Sequence, residues 1–107
     1  MDDMEFNDRV DEIIELVEDE LDELDADLDI ESSAGLLTVN FPDGSAFILS
    51  RQIASHEIWI AARSGGFHLR YADSRWFCQT TSEALPEMLG RVFTEQLHQP
   101  VTLLSQA

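Results

Sequence analysis

The apolar residues of this chain change their spacing twice, and that change limits the folds open to it. Phe6, Val10, Ile13, Val17, Leu21 and Leu24 stand three or four positions apart, with Ile14 and Leu28 close to the same stripe. A period near 3.6 gathers them on one side of a long amphipathic helix, predicted from about Asp3 to about Asp25. From Ile30 onward the pattern becomes short strand-like runs divided by turns. "LLTVNF" and "AFILSR" flank "PDG", a strong hairpin signal. "HEIWIAA" and "GFHLRY" meet at "RSGG", and "RYADSRWF" reads as a further turn leading into a short strand.

The helical period then returns. Leu85, Met88, Leu89, Val92, Phe93 and Leu97 form a second stripe after Thr80, Thr81 and Ser82, which offer N-caps. Pro86 has to lie in the first turn, Gly90 weakens the middle, and Pro100 is the expected stop. Strands so close together favour an antiparallel meander over parallel crossovers, which need a dozen or more residues each. Two amphipathic helices need a cover, and one face of such a sheet supplies it. The predicted fold class is α+β: a two-layer sandwich with N- and C-terminal helices packed on one face of an antiparallel sheet, the other face open to solvent. At 107 residues the chain is expected to form a single domain, 1–107.

The charge is distributed in an unusual way. The formal net charge is −16, and nine of the fourteen residues in "EDELDELDADLDIE" (18–31) are acidic. Residues 1–31 hold 16 acids against Arg9 alone, whereas the remaining 76 residues hold six acids and five Arg. A salt-adapted surface would spread its acids everywhere. Here they are a local device on an otherwise near-neutral chain. Like charges three and four apart on a helix cost about 0.2–0.5 kcal/mol per pair. The helix dipole further disfavours acids at the C-terminal end, where Glu18, Asp19, Glu20, Asp22, Glu23 and Asp25 are placed. On stability grounds these are poor residues for the segment.

Two functions would account for them. Clustered carboxylates with no neighbouring Cys or His suit hard cations such as Ca²⁺, Mg²⁺, Mn²⁺ and iron rather than Zn²⁺ or Cu⁺. The same ridge would also dock on a basic protein surface. A solvated face that confers solubility is the plain alternative. "DADLDIE" (25–31) is not an EF-hand, because Ile30 stands at the Gly position and Leu36 at the bidentate Glu position. Any ion held here would be bound shallowly and weakly. The negative field repels nucleic acid and anionic lipid, so neither is expected as a partner.

Outside the ridge, alternation puts Ile58, Ile60 and Ala62 on one face of a strand and Glu57, Trp59 and Ala61 on the other. If the Ile face meets the helices, Trp59 stands on the open face, either as an interface anchor or folded against a core edge. Arg51, Gln52 and Arg70 are candidates for the same face. His56, His68 and His98 are scattered, Cys78 lies in the apolar "WFC", and "SGG" is not a phosphate-binding loop. No catalytic constellation emerges, so no enzyme is predicted. One Cys excludes an internal disulfide and fits a reducing compartment, "MDDMEFND" has no secretion-signal features, and no apolar run approaches a membrane span. A soluble, cytoplasmic protein is expected.

The acidic first helix running into "DADLDIE", the "FPDGS" hairpin, the "RQIASHEIWIAARSGGFH" stretch and "WFC" together resemble the bacterial frataxin (CyaY-type) family. The resemblance covers nearly the whole chain. Its most specific part is Arg51–Gln52, Trp59, Gly65–Gly66 with Phe67–His68, and Trp76. It implies two helices on one face of an antiparallel sheet and an iron-binding protein of iron–sulfur cluster assembly. It further implies weak iron contacts (Fe²⁺ or Fe³⁺, with other hard divalent cations able to substitute) at Glu18, Asp19, Asp22, Glu23, Asp25, Asp27, Asp29 and Glu31. Docking to a cysteine desulfurase and its scaffold protein would use Glu18, Asp19, Asp22, Glu23, Gln52 and Trp59, in a protein monomeric without metal. Iron supply and regulation of the desulfurase both remain open, as does a metal-independent interaction module. The sequence departs from the family at Ser50, often Asn, at Glu57, often Gln, and at Asn7, where relatives can carry a His.

Overall fold

The first helix begins where an acid can satisfy it. In the computed structural model, which describes residues 1–105, Asp2 caps α1 (Asp3–Asp22) by accepting from the Glu5 N–H at 2.8 Å. Phe6, Val10, Ile14, Val17 and Leu21 form its buried face. The helix stops at Asp22, short of the expected Asp25. Glu23 is the C-cap, its N–H turning back to the carbonyls of Glu20 and Leu21, and no basic residue occupies the last turn. Continuing through Glu23 and Asp25 would have added acid at the negative end of the dipole. Leu24 and Leu28 instead pack partly against the core and carry the chain across to the sheet.

Seven strands follow: β1 (Asp29–Ser33), β2 (Leu36–Asn40), β3 (Ala46–Gln52), β4 (Glu57–Ala62), β5 (Gly65–Ala72), β6 (Arg75–Cys78) and β7 (Glu83–Ala84). They lie side by side in chain order, each antiparallel to the next, so the meander expected from the close spacing is observed. The "PDG" turn is closed by Gly44 N–H to the Phe41 carbonyl at 3.0 Å and by the Asp43 carboxylate accepting from the Ser45 N–H at 2.9 Å. Asp73 and Ser74, both at positive φ (53° and 65°), make the tight two-residue turn between β5 and β6. The short β7 had no signature in the sequence. Thr80, Thr81 and Ser82 form the turn between β6 and β7, and because Glu83 and Ala84 then pair with β6, the cap falls after the expected Thr and Ser. Ala84 occupies the cap position of α2 (Leu85–Leu97), and the Glu87 carboxylate accepts from its N–H at 3.1 Å. Pro86 lies in the first turn as predicted, and the helix ends at Leu97 on a left-handed His98, before Pro100.

One sheet face is covered. Leu37, Val39, Phe47, Leu49, Ile58, Ile60, Leu69, Trp76 and Cys78 are buried beneath the stripes of α1 and α2. Phe93 of α2 meets Phe47 at 4.8 Å and Phe41 at 5.4 Å between ring centroids. The segment after α2 closes the side of this layer with Val101, Leu103 and Leu104, and the Leu104 N–H donates to the Glu20 carboxylate at 2.9 Å.

Arg51 is on the covered side, not the open one. Its guanidinium donates to Asn7 Oδ1 at 2.7 Å and pairs with Asp11, both on α1. Gln52, its neighbour in β3, points the other way, as alternation along a strand requires. Gly35, at φ 77° in the β1–β2 turn, has no side chain to collide with the Arg51 stem that passes over it.

Candidate functional site

Two surfaces hold the candidate residues. On the first, Glu18, Asp19 and Asp22 project from the last turns of α1, Glu23 caps it, Asp25 and Asp27 lie in the connection, and Asp29 and Glu31 are on β1. All are exposed except the half-buried Glu18. Among the described residues no Arg or His side chain pairs with any acid from Glu12 to Glu31. Arg9 is held by Glu5 at 3.0 Å and by the Tyr71 hydroxyl at 2.9 Å, and Arg51 goes to the N-terminal half of the helix. Glu20 is drawn off the ridge by the Leu104 N–H.

The ridge is not a cage. Among the described residues no three His, Cys, Asp or Glu side chains converge on a point that could hold an ion. Ile30 packs toward the core, so Asp29 and Glu31 turn to the opposite side of β1, away from the helix layer. The donor set is therefore a row of oxygens that bends around the edge of the molecule. Hard cations accept such oxygens, and an ion held by one or two of them would keep most of its water.

The second surface is the open face of the sheet, and here the register brings together what the sequence left apart. Leu36, Ser50, Trp59 and His68 form one cross-strand row, and Gln52, Glu57, Arg70 and Phe77 form the next. Asp29 and Glu31 lie on this same face at its β1 edge, which joins the two surfaces. Trp59 is 38% exposed on this face and is not folded into a core edge. Its indole lies parallel to the His68 ring, 4.4 Å away and tilted by 6°.

Glu57 organises the row. One carboxylate oxygen accepts from Trp59 Nε1 and from the Ser55 hydroxyl, each at 2.9 Å, and the other from Arg70 Nε at 2.9 Å. These bonds, led by that from Trp59, hold its carboxyl down at about 2. Alternation placed Glu57 beside Trp59, but His68 and Arg70 enter only through the β4–β5 register. The two-residue turn at Arg63–Ser64 was the signal that could have supplied it.

With this geometry in place, the comparisons with known proteins are decisive. The family model of the frataxin-like domain matches residues 1–99. This chain belongs to the frataxin family. It is 50% identical over 93 residues to the iron-sulfur cluster assembly protein CyaY of Pseudomonas fluorescens, covering 85% of this chain and 84% of that one. Its identity to the Azotobacter vinelandii protein of the same name is 46% over 94 residues, with 86% of each covered. The frataxin of Psychromonas ingrahamii superposes with a TM-score of 0.87 at 26% identity, over 95% of this chain and 97% of that one. A trimeric yeast frataxin solved in a ferrous complex shares the frataxin fold at a TM-score of 0.73 and 22% identity, over 84% and 86% of the two chains. The two-layer arrangement predicted from periodicity is thus the frataxin arrangement. Among the described residues no helix is long and apolar enough to cross a membrane.

Proposed function

We propose that this frataxin-family chain acts in iron–sulfur cluster assembly as a weak iron binder that regulates a cysteine desulfurase, supplies it with iron, or both. It works without catalysing a reaction itself and does so in the cytoplasm. The observation that carries this reading is the uncompensated ridge. The half-buried Glu18 and the exposed Asp19, Asp22, Glu23, Asp25, Asp27, Asp29 and Glu31 have no basic side chain paired with them among the described residues. A charge row that costs folding stability is retained for an external positive counterpart. Fe²⁺ or Fe³⁺ is one counterpart, with Fe³⁺ held more strongly for its higher charge, and other hard cations compete with it. The basic surface of the desulfurase is the other, met by Glu18, Asp19, Asp22 and Glu23. Trp59 and Gln52 on the open face add the contacts that fix orientation with the scaffold protein. Without metal the chain is a monomer.

The names of the relatives, the family fold and the donor chemistry all support this reading. The lack of a converging ligand set favours a second one, in which the ridge is a metal-independent docking surface. Desulfurase activity measured with and without this protein, across an anaerobic Fe²⁺ titration, tests the proposal. A rate change that depends on both protein and iron is expected. A change that ignores iron, together with no calorimetric heat at sub-millimolar Fe²⁺, selects the second reading.

A further inference from the structure

The segment after α2 is fastened unequally at its two ends. At α2 the Thr94 hydroxyl holds both backbone groups of Val101, accepting from its N–H at 3.0 Å and donating to its carbonyl at 3.3 Å. Gly90, one turn earlier, lets the segment lie close, since a Cβ there would stand 3.4 Å from the same carbonyl. At α1 the only polar tie among the described residues is the Glu20 carboxylate, whose Oε1 accepts from the Leu104 N–H at 2.9 Å. Leu103 and Leu104 are buried between these fastenings.

Leu104 sits in a conformation that has to be held. Its φ is 54°, in the left-handed region that a bulky apolar residue rarely enters. Such a backbone persists only where its surroundings fix it. Its N–H is also a buried donor, and a buried donor needs an acceptor. Both requirements are met through Glu20. Leu104 in turn is one wall of a cavity of about 330 Å³, with Ile13 of α1, Trp76 of β6, and Leu85 and Pro86 of α2 as its other apolar walls.

By position Glu20 belongs to the ridge. It lies in the last turn of α1, beside Asp19 and three residues before Glu23, and is half-buried where those two are exposed. Of the nine acids from Glu18 to Glu31 it is the one, among the described residues, whose carboxylate accepts a bond within the fold. A cation gathering on its neighbours competes for that carboxylate, because two full charges attract more strongly than a charge and a neutral N–H.

We propose that the segment after α2 is a strap coupled to the ridge through Glu20. With the ridge empty, Glu20 turns inward and holds Leu104 down. A hard cation held by Asp19 and Glu23 recruits Glu20 as a further carboxylate. The Leu104 N–H then loses its acceptor, and the Leu103–Leu104 end lifts from the cavity wall. A loaded ridge thus opens apolar surface between the helices that an empty one keeps shut. The coupling is reciprocal, so opening the strap tightens the ridge for cations by the same factor. The proposal rests on the reading that the ridge takes up cations, and it adds what that uptake does to the fold.

The test follows backbone amide exchange of the full chain by NMR as Ca²⁺ is added at constant pH and ionic strength. Ca²⁺ is a hard cation that takes carboxylate oxygens and leaves the resonances sharp. Amides from Asp19 to Glu31 should shift, and exchange at the Leu104 N–H should quicken about fivefold at saturation. The Val101 N–H, fastened by Thr94, should not respond. Glu20→Gln keeps an oxygen for Leu104 but offers the ion no charge, so its Leu104 exchange should stay slow and indifferent to Ca²⁺. Glu20→Ala should exchange fast with or without the ion. Leu103→Ala loosens the strap without touching the ridge and should tighten Ca²⁺ binding about threefold, a gain that Glu20→Gln/Leu103→Ala should lack. Ridge amides that shift while Leu104 exchange stays constant, or a quickening that persists in Glu20→Gln, overturn the strap and leave the proposed function standing. Ridge amides that Ca²⁺ leaves unmoved also overturn the strap, and calorimetry with anaerobic Fe²⁺ then judges the proposed function alone.

Discussion

The two helices cover the same sheet and treat their polar residues in opposite ways. On α2 and the strand before it, each carboxylate has work within the fold. Glu83 takes two bonds from Arg91, at 2.8 and 2.9 Å, Glu95 takes a third at 3.1 Å, and Glu87 caps the helix start. Gln96, though buried, is satisfied. Its Nε2 donates to the Ser45 hydroxyl at 2.9 Å and the Ala46 carbonyl at 3.2 Å, and its Oε1 accepts from the Arg63 N–H at 3.2 Å. Among the described residues, only Glu20 on the C-terminal half of α1 is engaged in this way, by Leu104. Polar groups on α2 hold the molecule together, and those at the end of α1 are left to solvent.

Substitution breaks the contrast most strongly at its satisfied end. Gln96→Ala leaves an N–H, a hydroxyl and a carbonyl of two turns without their buried partner, and should cost about 2–3 kcal/mol of stability in urea unfolding. At the other end the sign reverses. Asp22→Asn/Glu23→Gln/Asp25→Asn relieves like-charge pairs with Glu18, Asp19 and Glu20 and unloads the helix dipole. It should raise stability by about 1–2 kcal/mol while abolishing the iron-dependent melting shift. A fall in stability would show that the row is not strained. Between these lies Arg91→Gln, which strips Glu83 of its bidentate partner at a partly exposed site and should cost about 1 kcal/mol by the same unfolding curve.

The contrast was only partly legible in the sequence. The 3.6 and 2.0 periods placed both helices and the chief hairpins, because burial of one face writes itself into spacing. What periodicity cannot encode is where an element yields to electrostatics or to a neighbouring strand. Thus α1 ends before Asp25, and β7 moves the cap of α2 to Ala84. Arg51 was misplaced for a different reason: Arg51 and Gln52 are adjacent in one strand and must face opposite ways, so the alternation already contained the answer. The ridge was visible as composition. The Glu57 hub was not, because His68 and Arg70 reach it only through cross-strand pairing.

Acid sharpens the comparison with the smallest effect. Glu57 has its carboxyl lowered from 4.5 to about 2 by Trp59, Arg70 and Ser55, so its folded value lies below its unfolded one. The stability it contributes is complete above pH 4.5 and is lost as pH falls through that value toward 2. Asp43, held at about 2 chiefly by Ser45, follows the same course. Native melting temperature should therefore fall between pH 5 and pH 2. Glu57→Gln should flatten the acid limb, because a group that no longer titrates contributes no slope. If Glu57→Gln and the native chain traced parallel melting curves through this range, the bonds that Trp59, Arg70 and Ser55 make to Glu57 would add nothing to stability, and the satisfied carboxylates would differ from the ridge in position alone.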